Sequence, residues 1–380
     1  MHKKLFFSLL ILFFFACGAF RPHLSENAEQ TSWLGVGGNL QQHHFRANGP
    51  APPLELIDTI SLPAAPVENL VALDSTVFIG TKNGRIYGYH LRDGKVKGKI
   101  KLPENVVGNL GLHASGRLAV GLEIGSETLM CYDLHDGNFV WKVRAGLLAS
   151  EPVVADTSVY MVARFKHVDR YSLQTGKRIW RFETESQAHA APTLSDRELF
   201  FGTDSGELYA LDRHTGAKIW HRELSSPIFA SPVVDDNLVF VSAQDSTIRA
   251  FTRADGKPAW QIKAQARGWR TPALAANVLV VATGDGIIRG IEKQTGKKIW
   301  RHEAPSGIGT SPLIVGGVVY FGCLDKNVYA LDVSSGKLLW QAELRGRVRT
   351  NPIAIGDFLI VGSEDKYVYI FRQGHELSVR

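Results

Sequence analysis

The chain has 380 residues, of which 44% are hydrophobic, and a formal net charge of +6. This apolar content is ordinary for a globular protein and argues against a disordered chain. Part of the basic excess lies at the N-terminus, in Lys3 and Lys4, and no basic stripe follows that would predict binding to nucleic acid. The length alone allows two domains, but the regular repeat described below predicts one closed ring.

Residues 1–16 are predicted to form a signal peptide. Lys3 and Lys4 precede an apolar run from Leu5 to Phe15, which is shorter than the ~20 residues that a membrane-spanning helix needs. Ala16 and Cys17 follow, and this site resembles the lipobox of bacterial lipoproteins. We predict lipid attachment at Cys17, with ordinary secretion as the alternative. By resemblance to enterobacterial sorting, the Gly that follows Cys17 favours the outer membrane.

Residues 17–53 are polar and rich in turn formers, and they are predicted to be an irregular tether and lead-in. His43 and His44 are adjacent but have no third ligand at a useful spacing, so no metal site is predicted.

From residue 54 onwards the sequence repeats with a step of about forty residues. Each copy has four short runs rich in Val, Ile, Phe and Thr, separated by turn residues, and this is the size and pattern of a propeller blade. We name the four strands A to D. Strand A follows a Pro, and strand D carries a Trp that is predicted to pack between blades. The repeated tryptophans are Trp141, Trp180, Trp220, Trp260, Trp300 and Trp340. The turn before strand D ends in a Gly that is predicted to have a positive φ: Gly94, Gly137, Gly176, Gly216, Gly256, Gly296 and Gly336.

The copies predict an all-β, eight-bladed β-propeller of four-stranded antiparallel blades over residues 54–372. Six copies contain the Trp, and an earlier copy has Gly98 in its place. After Pro352 only strands A to C remain, while the segment Leu54–Leu62 is a strand without a partner. We therefore predict that this N-terminal strand completes the eighth blade and leaves no open sheet edge. Residues 373–380 are predicted to be a C-terminal tail.

Cys131 and Cys323 fall in different blades, at positions where other copies have small residues. They are predicted to be buried, unpaired thiols. The turns between strands B and C carry a column of acidic residues, which are predicted to be hairpin-turn residues: Asp245, Asp285, Asp325 and Asp365.

The segment Ala210-Leu-Asp-Arg-His-Thr-Gly-Ala-Lys-Ile-Trp220 resembles the repeat of PQQ-type propellers, and the copy from Ala330 to Trp340 is similar to it. Two functional branches share that repeat. Quinoprotein dehydrogenases bind PQQ and a calcium ion at the propeller axis, and they are usually longer and often have adjacent cysteines. BamB-like lipoproteins are non-catalytic and assist the insertion of β-barrel proteins into the outer membrane. A lipoprotein with bare blades and isolated cysteines is more similar to the second branch, although no loop here is as long as the partner-binding loop of that branch.

The loops from strand D to the next strand A and the B–C turns should share one face, with the residues before each Pro at the mouth of the axial channel. These positions hold side chains that the repeat does not require, and aromatic residues and Arg are enriched at binding sites. The candidate partner-binding residues are His189, Phe229, Trp269, Arg270 and Arg349.

These observations predict a non-catalytic, monomeric scaffold in the cell envelope. It would bind an envelope protein, with a β-barrel assembly component as the expected partner, and would have no cofactor, metal or nucleic acid. It would be held by its lipid at the periplasmic side of the outer membrane. The alternatives are a PQQ- and calcium-dependent dehydrogenase and a propeller that recognises a ligand or the cell wall.

Overall fold

The computed structural model describes residues 32–35, 37–103, 108–148, 150–164, 166–263 and 270–374. Within these ranges the chain forms eight sheets arranged as the blades of a β-propeller, which confirms the predicted fold. No helix in the described part of the chain is long and apolar enough to cross a membrane. The predicted signal peptide, Cys17 and Trp269 lie outside the described residues, as does nearly all of the predicted tail.

The blades follow one another in chain order, and within each blade the chain runs from the innermost strand A to the outermost strand D. Blade 1 comprises β3 (Val71–Leu73), β4 (Thr76–Thr81), β5 (Arg85–His90) and β6 (Lys95–Lys101), and blade 2 comprises β7 (Gly108–Leu112), β8 (Arg117–Leu122), β9 (Leu129–Asp133) and β10 (Asn138–Val143). Blade 3 comprises β11 (Val153–Ala155), β12 (Ser158–Ala163), β13 (His167–Ser172) and β14 (Arg178–Glu183), and blade 4 comprises β15 (Thr193–Leu194), β16 (Glu198–Gly202), β17 (Glu207–Asp212) and β18 (Lys218–Glu223). Blade 5 comprises β19 (Val233–Val234), β20 (Leu238–Ala243), β21 (Thr247–Thr252) and β22 (Pro258–Lys263). Blade 6 comprises β23 (Ala273–Ala275), β24 (Val278–Ala282), β25 (Ile287–Glu292) and β26 (Lys298–Glu303). Blade 7 comprises β27 (Leu313–Val315), β28 (Val318–Gly322), β29 (Asn327–Asp332) and β30 (Leu338–Glu343).

Blade 8 joins the two ends of the propeller. The chain supplies β31 (Ile353–Ile355), β32 (Phe358–Gly362) and β33 (Tyr367–Gln373), and β2 (Leu54–Ser61) completes the sheet as its outermost strand. The β2–β33 ladder is antiparallel and runs from Leu54 opposite Gln373 to Ser61 opposite Tyr367. The predicted closure is therefore confirmed, and both ends of the propeller are held by one sheet.

The repeated Trp joins each of blades 2 to 7 to the blade that follows. The Trp220 indole N–H donates to the Arg253 carbonyl in the C–D turn of blade 5 over 2.9 Å, and four other tryptophans make the equivalent bond. Trp340 donates instead to the Leu54 carbonyl at the start of the closing strand β2. The Trp220 ring also covers Gly256, which has a φ of +66°. A Cβ at Gly256 would lie 2.7 Å from the ring, so the glycine is required by its conformation and by its contact.

The outer strands share a β-bulge that explains most of the exposed aliphatic side chains. In blade 4, Ala210 faces Trp220 and Leu211 faces Lys218, so Ile219 is the extra residue. The same irregularity recurs in every outer strand, and at six of them it exposes a large aliphatic side chain: Ile57, Val140, Ile179, Ile219, Ile299 and Leu339. Bulges twist a strand edge away from pairing with another chain, which protects eight exposed edges.

The structure also agrees with the predicted roles of the cysteines and turn residues. Cys131 and Cys323 are both buried and unpaired. The carboxylates of the B–C turns accept hydrogen bonds from their own turns, as Asp325 does from the Asn327 backbone over 2.9 Å.

The lead-in differs from the sequence interpretation, because its described part, within residues 32–53, is packed onto the blades rather than free. Its carbonyl groups accept hydrogen bonds from the inner strands of six blades, including bonds from Ala72, Leu194 and Leu274. Phe45 and Arg46 form β1, which pairs in parallel with β27. His44 is buried, and burial lowers its pKa to about 3. The lead-in thus accepts hydrogen bonds from backbone N–H groups on the free edge of the A strands, near their A–B turns.

Candidate functional site

The axial channel opens on the face that carries the D–A loops and the B–C turns. We call this the D–A face, and the opening is a cavity of about 400 Å³. Its described wall consists of residues just before strand A in seven of the blades, Asn109 within strand A of blade 2, and B–C turn residues such as Lys82, Glu123 and Glu364. The lead-in lies against the opposite ends of the A strands, so the cavity is the accessible end of the channel.

Four of the five predicted binding residues lie at this cavity, and the fifth, Trp269, is outside the described residues. Phe229 is 47% exposed, and its ring meets the His189 ring edge to face, with centroids 5.8 Å apart. The His189 Nε2 atom lies 2.9 Å from the Asp204 carboxylate, which orients the imidazole. Phe229 and His189 therefore form one aromatic surface on the rim.

The two arginines have different roles. Arg349 is exposed and forms an ion pair with Glu364, with a distance of 2.5 Å between Nε and Oε1. Arg270 is more enclosed, and its Nε donates to the Ile308 carbonyl over 3.2 Å. Burial lowers the pKa of the Arg270 guanidinium, and the charge of Glu68 opposes this effect. Arg349 is thus available to a partner, whereas Arg270 also holds the wall together.

The sequence analysis missed a polar network across the cavity wall. The Asn351 side chain donates to Asn69, and the Asn69 side chain donates to Glu151, each over 2.6 Å. The Asn351 side-chain oxygen accepts from the Ser311 backbone over 2.7 Å. The residues just before the inner strands of blades 7, 8, 1 and 3 are therefore linked at the channel mouth, through the Ser311 backbone and the side chains of the other three.

Reading the residue before each Pro would have revealed part of this network. That column contains Glu151 and Asn351 where other copies have small residues. Asn69 and its neighbour Glu68 were not visible in this way, because blade 1 has Leu70 in place of the Pro.

The cavity lining mixes acidic and basic groups, as the Arg349–Glu364 ion pair shows. Glu68 is exposed to the cavity, where the surrounding wall removes part of its water and raises the pKa of its carboxyl, while the charges of Arg270 and Arg349 oppose the shift. Burial also raises the pKa of Glu151, and the charge of Glu68 reinforces that shift. The mouth can therefore accept polar groups of either sign. Among the described residues, no cluster of three or more His, Cys, Asp or Glu is arranged to hold a metal ion.

The blade geometry, the tryptophan contacts and the axial cavity define a PQQ-like β-propeller. A family model described as outer membrane protein assembly factor BamB matches residues 82–227 and 164–375. The chain belongs to this family. Comparison with curated proteins gives no match.

Solved structures with this fold include both branches of the repeat family. BamB from Moraxella catarrhalis is 20% identical, with a TM-score of 0.74 over 84% of this chain and 99% of that chain. A europium-containing methanol dehydrogenase is 12% identical, with a TM-score of 0.79 over 90% of this chain and 98% of that chain. The quinohemoprotein alcohol dehydrogenase from Comamonas testosteroni is 13% identical, with a TM-score of 0.76 over 93% of this chain and 82% of that chain. At these identities the likeness concerns the fold alone.

Proposed function

We propose that this protein is a non-catalytic scaffold of the cell envelope that acts as a monomeric propeller in the assembly of outer-membrane β-barrel proteins. The family match, which extends from residue 82 to residue 375, carries this proposal. The solved structures do not decide between the two branches, since BamB from Moraxella catarrhalis and a europium-containing methanol dehydrogenase are covered over 99% and 98% of their lengths.

The proposal includes a lipid anchor at Cys17 that holds the propeller at the periplasmic side of the outer membrane. Its basis is the basic start, the short apolar run and the cysteine at the expected cleavage site. Replacing Cys17 with Ser should release the protein from the membrane fraction. Persistent membrane association of that variant would place the anchor elsewhere.

The charges of the cavity support binding without a quinone cofactor. The described lining residues include four carboxylates, Glu68, Glu123, Glu151 and Glu364, against three cations, Lys82, Arg270 and Arg349. This excess of carboxylates makes the described lining a poor match for PQQ, a tricarboxylate that needs cationic partners.

We propose that the partner protein binds the D–A face around Phe229 and Arg349, with His189, Arg270 and Trp269 completing the surface. Truncation of an interface anchor typically weakens binding by at least ~2 kcal/mol, or about thirtyfold. Phe229→Ala combined with Arg349→Ala should therefore weaken partner capture strongly.

The test is affinity capture from envelope extracts with the tagged chain, followed by identification of the bound proteins. Ile219→Ala is the matched control, because Ile219 is also exposed but lies on the outer strand of blade 4. A β-barrel assembly component that is lost with the double variant and kept with the control supports the proposal. Stabilisation of the purified chain by PQQ with Ca²⁺, together with dye-linked alcohol oxidation, would instead support the dehydrogenase alternative. Capture of cell-wall material would support the third alternative.

A further inference from the structure

The outer strand of blade 1 differs from the other seven outer strands in its charge. β6 has the sequence KVKGKIK, so Lys95, Lys97, Lys99 and Lys101 alternate along it without an acidic residue. All four lysines are exposed. The other outer strands each carry fewer basic residues, and five of them include Glu or Asp.

The differences fall at positions that the repeat otherwise conserves within this chain. The bulge position holds Lys97 in blade 1, whereas six of the other blades have an exposed Ile, Val or Leu there. Gly98 replaces the inter-blade Trp, and Lys101 occupies a position that is Glu in blades 3, 4, 6 and 7. Edge lysines can serve simply to prevent strand pairing, but the bulge already does so in the other blades. The lysines of β6 therefore need a further explanation.

The first described residues pack on the blade that carries β6. The described chain starts at Ser32, whose hydroxyl accepts from the Asp74 backbone in the A–B turn of blade 1, and Trp33 pairs with Ala72 of the same blade. The C–D turn of blade 1, which leads into β6, shares that face with the A–B turn. The described chain thus begins at the blade that carries the lysines, fifteen residues after Cys17 in the sequence.

We propose that the β6 lysines bind the anionic phospholipid surface of the membrane in which the lipid of Cys17 is inserted. The proposal rests on the anchor suggested above, which would keep the propeller within reach of the headgroups, and the lysine contact would bring blade 1 to them. Asp93 neutralises part of the charge by its ion pair with Lys97, and Arg85 and Arg92 add to it. The contact would orient the propeller with blade 1 towards the membrane and leave the channel mouth accessible to a partner.

The expected effect is a bias in orientation. Each Lys near an anionic surface contributes roughly a fivefold preference, equivalent to about 1 kcal/mol. Because the interaction is between exposed charges, it should disappear at ~1 M salt, where the Debye length is about 3 Å.

The test is energy transfer from a labelled propeller to headgroup-labelled lipid. The full-length gene is expressed, and the processed chain is purified from membranes and reconstituted into vesicles of phosphatidylethanolamine and phosphatidylglycerol. A donor dye is attached at Val96→Cys, which keeps all four lysines, or at Ile219→Cys on blade 4 as the control. Both side chains are exposed in the native protein, whereas Cys131 and Cys323 are buried and should not react.

The proposal predicts stronger transfer from Val96→Cys than from Ile219→Cys. The difference should vanish in phosphatidylcholine vesicles, in high salt, and when Lys95, Lys99 and Lys101 are all replaced by Gln. Equal transfer from both positions in the anionic vesicles would overturn the proposal.

The anchor is tested separately by mass spectrometry of the N-terminal peptide. If the chain carries no lipid, the anchor is wrong, and co-sedimentation of the same chain with both kinds of vesicle decides the lysine contact. Greater binding to the anionic vesicles that depends on the lysines would uphold the contact, and equal binding to both would refute it.

Discussion

The inter-blade contact between Trp and Gly makes the stability of the propeller predictable at a single residue. Gly256 and Gly94 occupy equivalent turns and have nearly equal φ values, +66° and +64°. A Cβ at Gly256 would lie 2.7 Å from the Trp220 ring, whereas the nearest neighbours of a Cβ at Gly94 are 3.4 Å away. The two glycines therefore separate the effect of backbone conformation from the effect of packing.

Replacing either glycine by Ala forces a left-handed conformation on a residue with a side chain, which costs about 1–2 kcal/mol. Gly256→Ala adds overpacking against the indole, which typically costs a further ~1–3 kcal/mol. We expect Gly256→Ala to lower the free energy of unfolding by more than Gly94→Ala does, and the difference should equal the packing cost.

Urea unfolding followed by tryptophan fluorescence measures both losses, and a shared slope would show that the unfolded states are comparable. In a Trp220→Leu background the ring is absent, so Gly256→Ala should then cost about as much as Gly94→Ala. If Gly256→Ala and Gly94→Ala lowered the free energy of unfolding equally, the Trp220–Gly256 contact would have no role in stability. The same would follow if Gly256→Ala cost as much in the Trp220→Leu background as in the native protein.

Two other predictions concern the closure and the channel mouth. Trp340→Phe removes the indole N–H that donates to the Leu54 carbonyl over 3.2 Å. The variant should lower the free energy of unfolding by about 1 kcal/mol and speed amide hydrogen exchange in β2. Unchanged exchange in β2 would show that this hydrogen bond does not hold the closing strand. Burial raises the pKa of the Glu151 carboxyl. The contribution of this carboxyl to the free energy of unfolding is therefore present below the ordinary carboxyl pKa, and it is lost as the pH rises through the raised pKa. Glu151→Gln keeps an oxygen that can accept the hydrogen bond from Asn69. The variant should therefore gain stability relative to the native protein as the pH rises. Urea unfolding of both proteins over a pH series measures this gain. If the two proteins differed by the same free energy of unfolding at every pH, the raised pKa of Glu151 would be contradicted.

Much of the fold could be predicted because the repeat reports its own geometry. The regular Trp and Pro positions gave the number of blades, and the incomplete last copy gave the pairing of β2 with β33. The turn glycines were predictable because only Gly adopts a positive φ beneath an indole ring without strain.

The lead-in could not be predicted in the same way, since it binds the blades through backbone groups that leave no side-chain pattern. The channel mouth was predicted in part. Phe229 and Arg349 were identified as departures from small residues in one column. Glu68 and Asn69 were missed because blade 1 lacks the Pro that aligns the copies, and the anchoring of Arg270 depends on a carbonyl from the next blade.

If the D–A face binds a partner in outer-membrane assembly, site-specific photo-crosslinking in cells should capture that partner at the channel mouth. A photoreactive residue is placed at Phe229, on the rim of the channel mouth, or at Ile219, on the outer edge of blade 4. We expect the Phe229 position to crosslink to a component of the β-barrel assembly machinery and the Ile219 position not to do so. Crosslinking of such a component from Ile219 but not from Phe229, or from neither position, would contradict it.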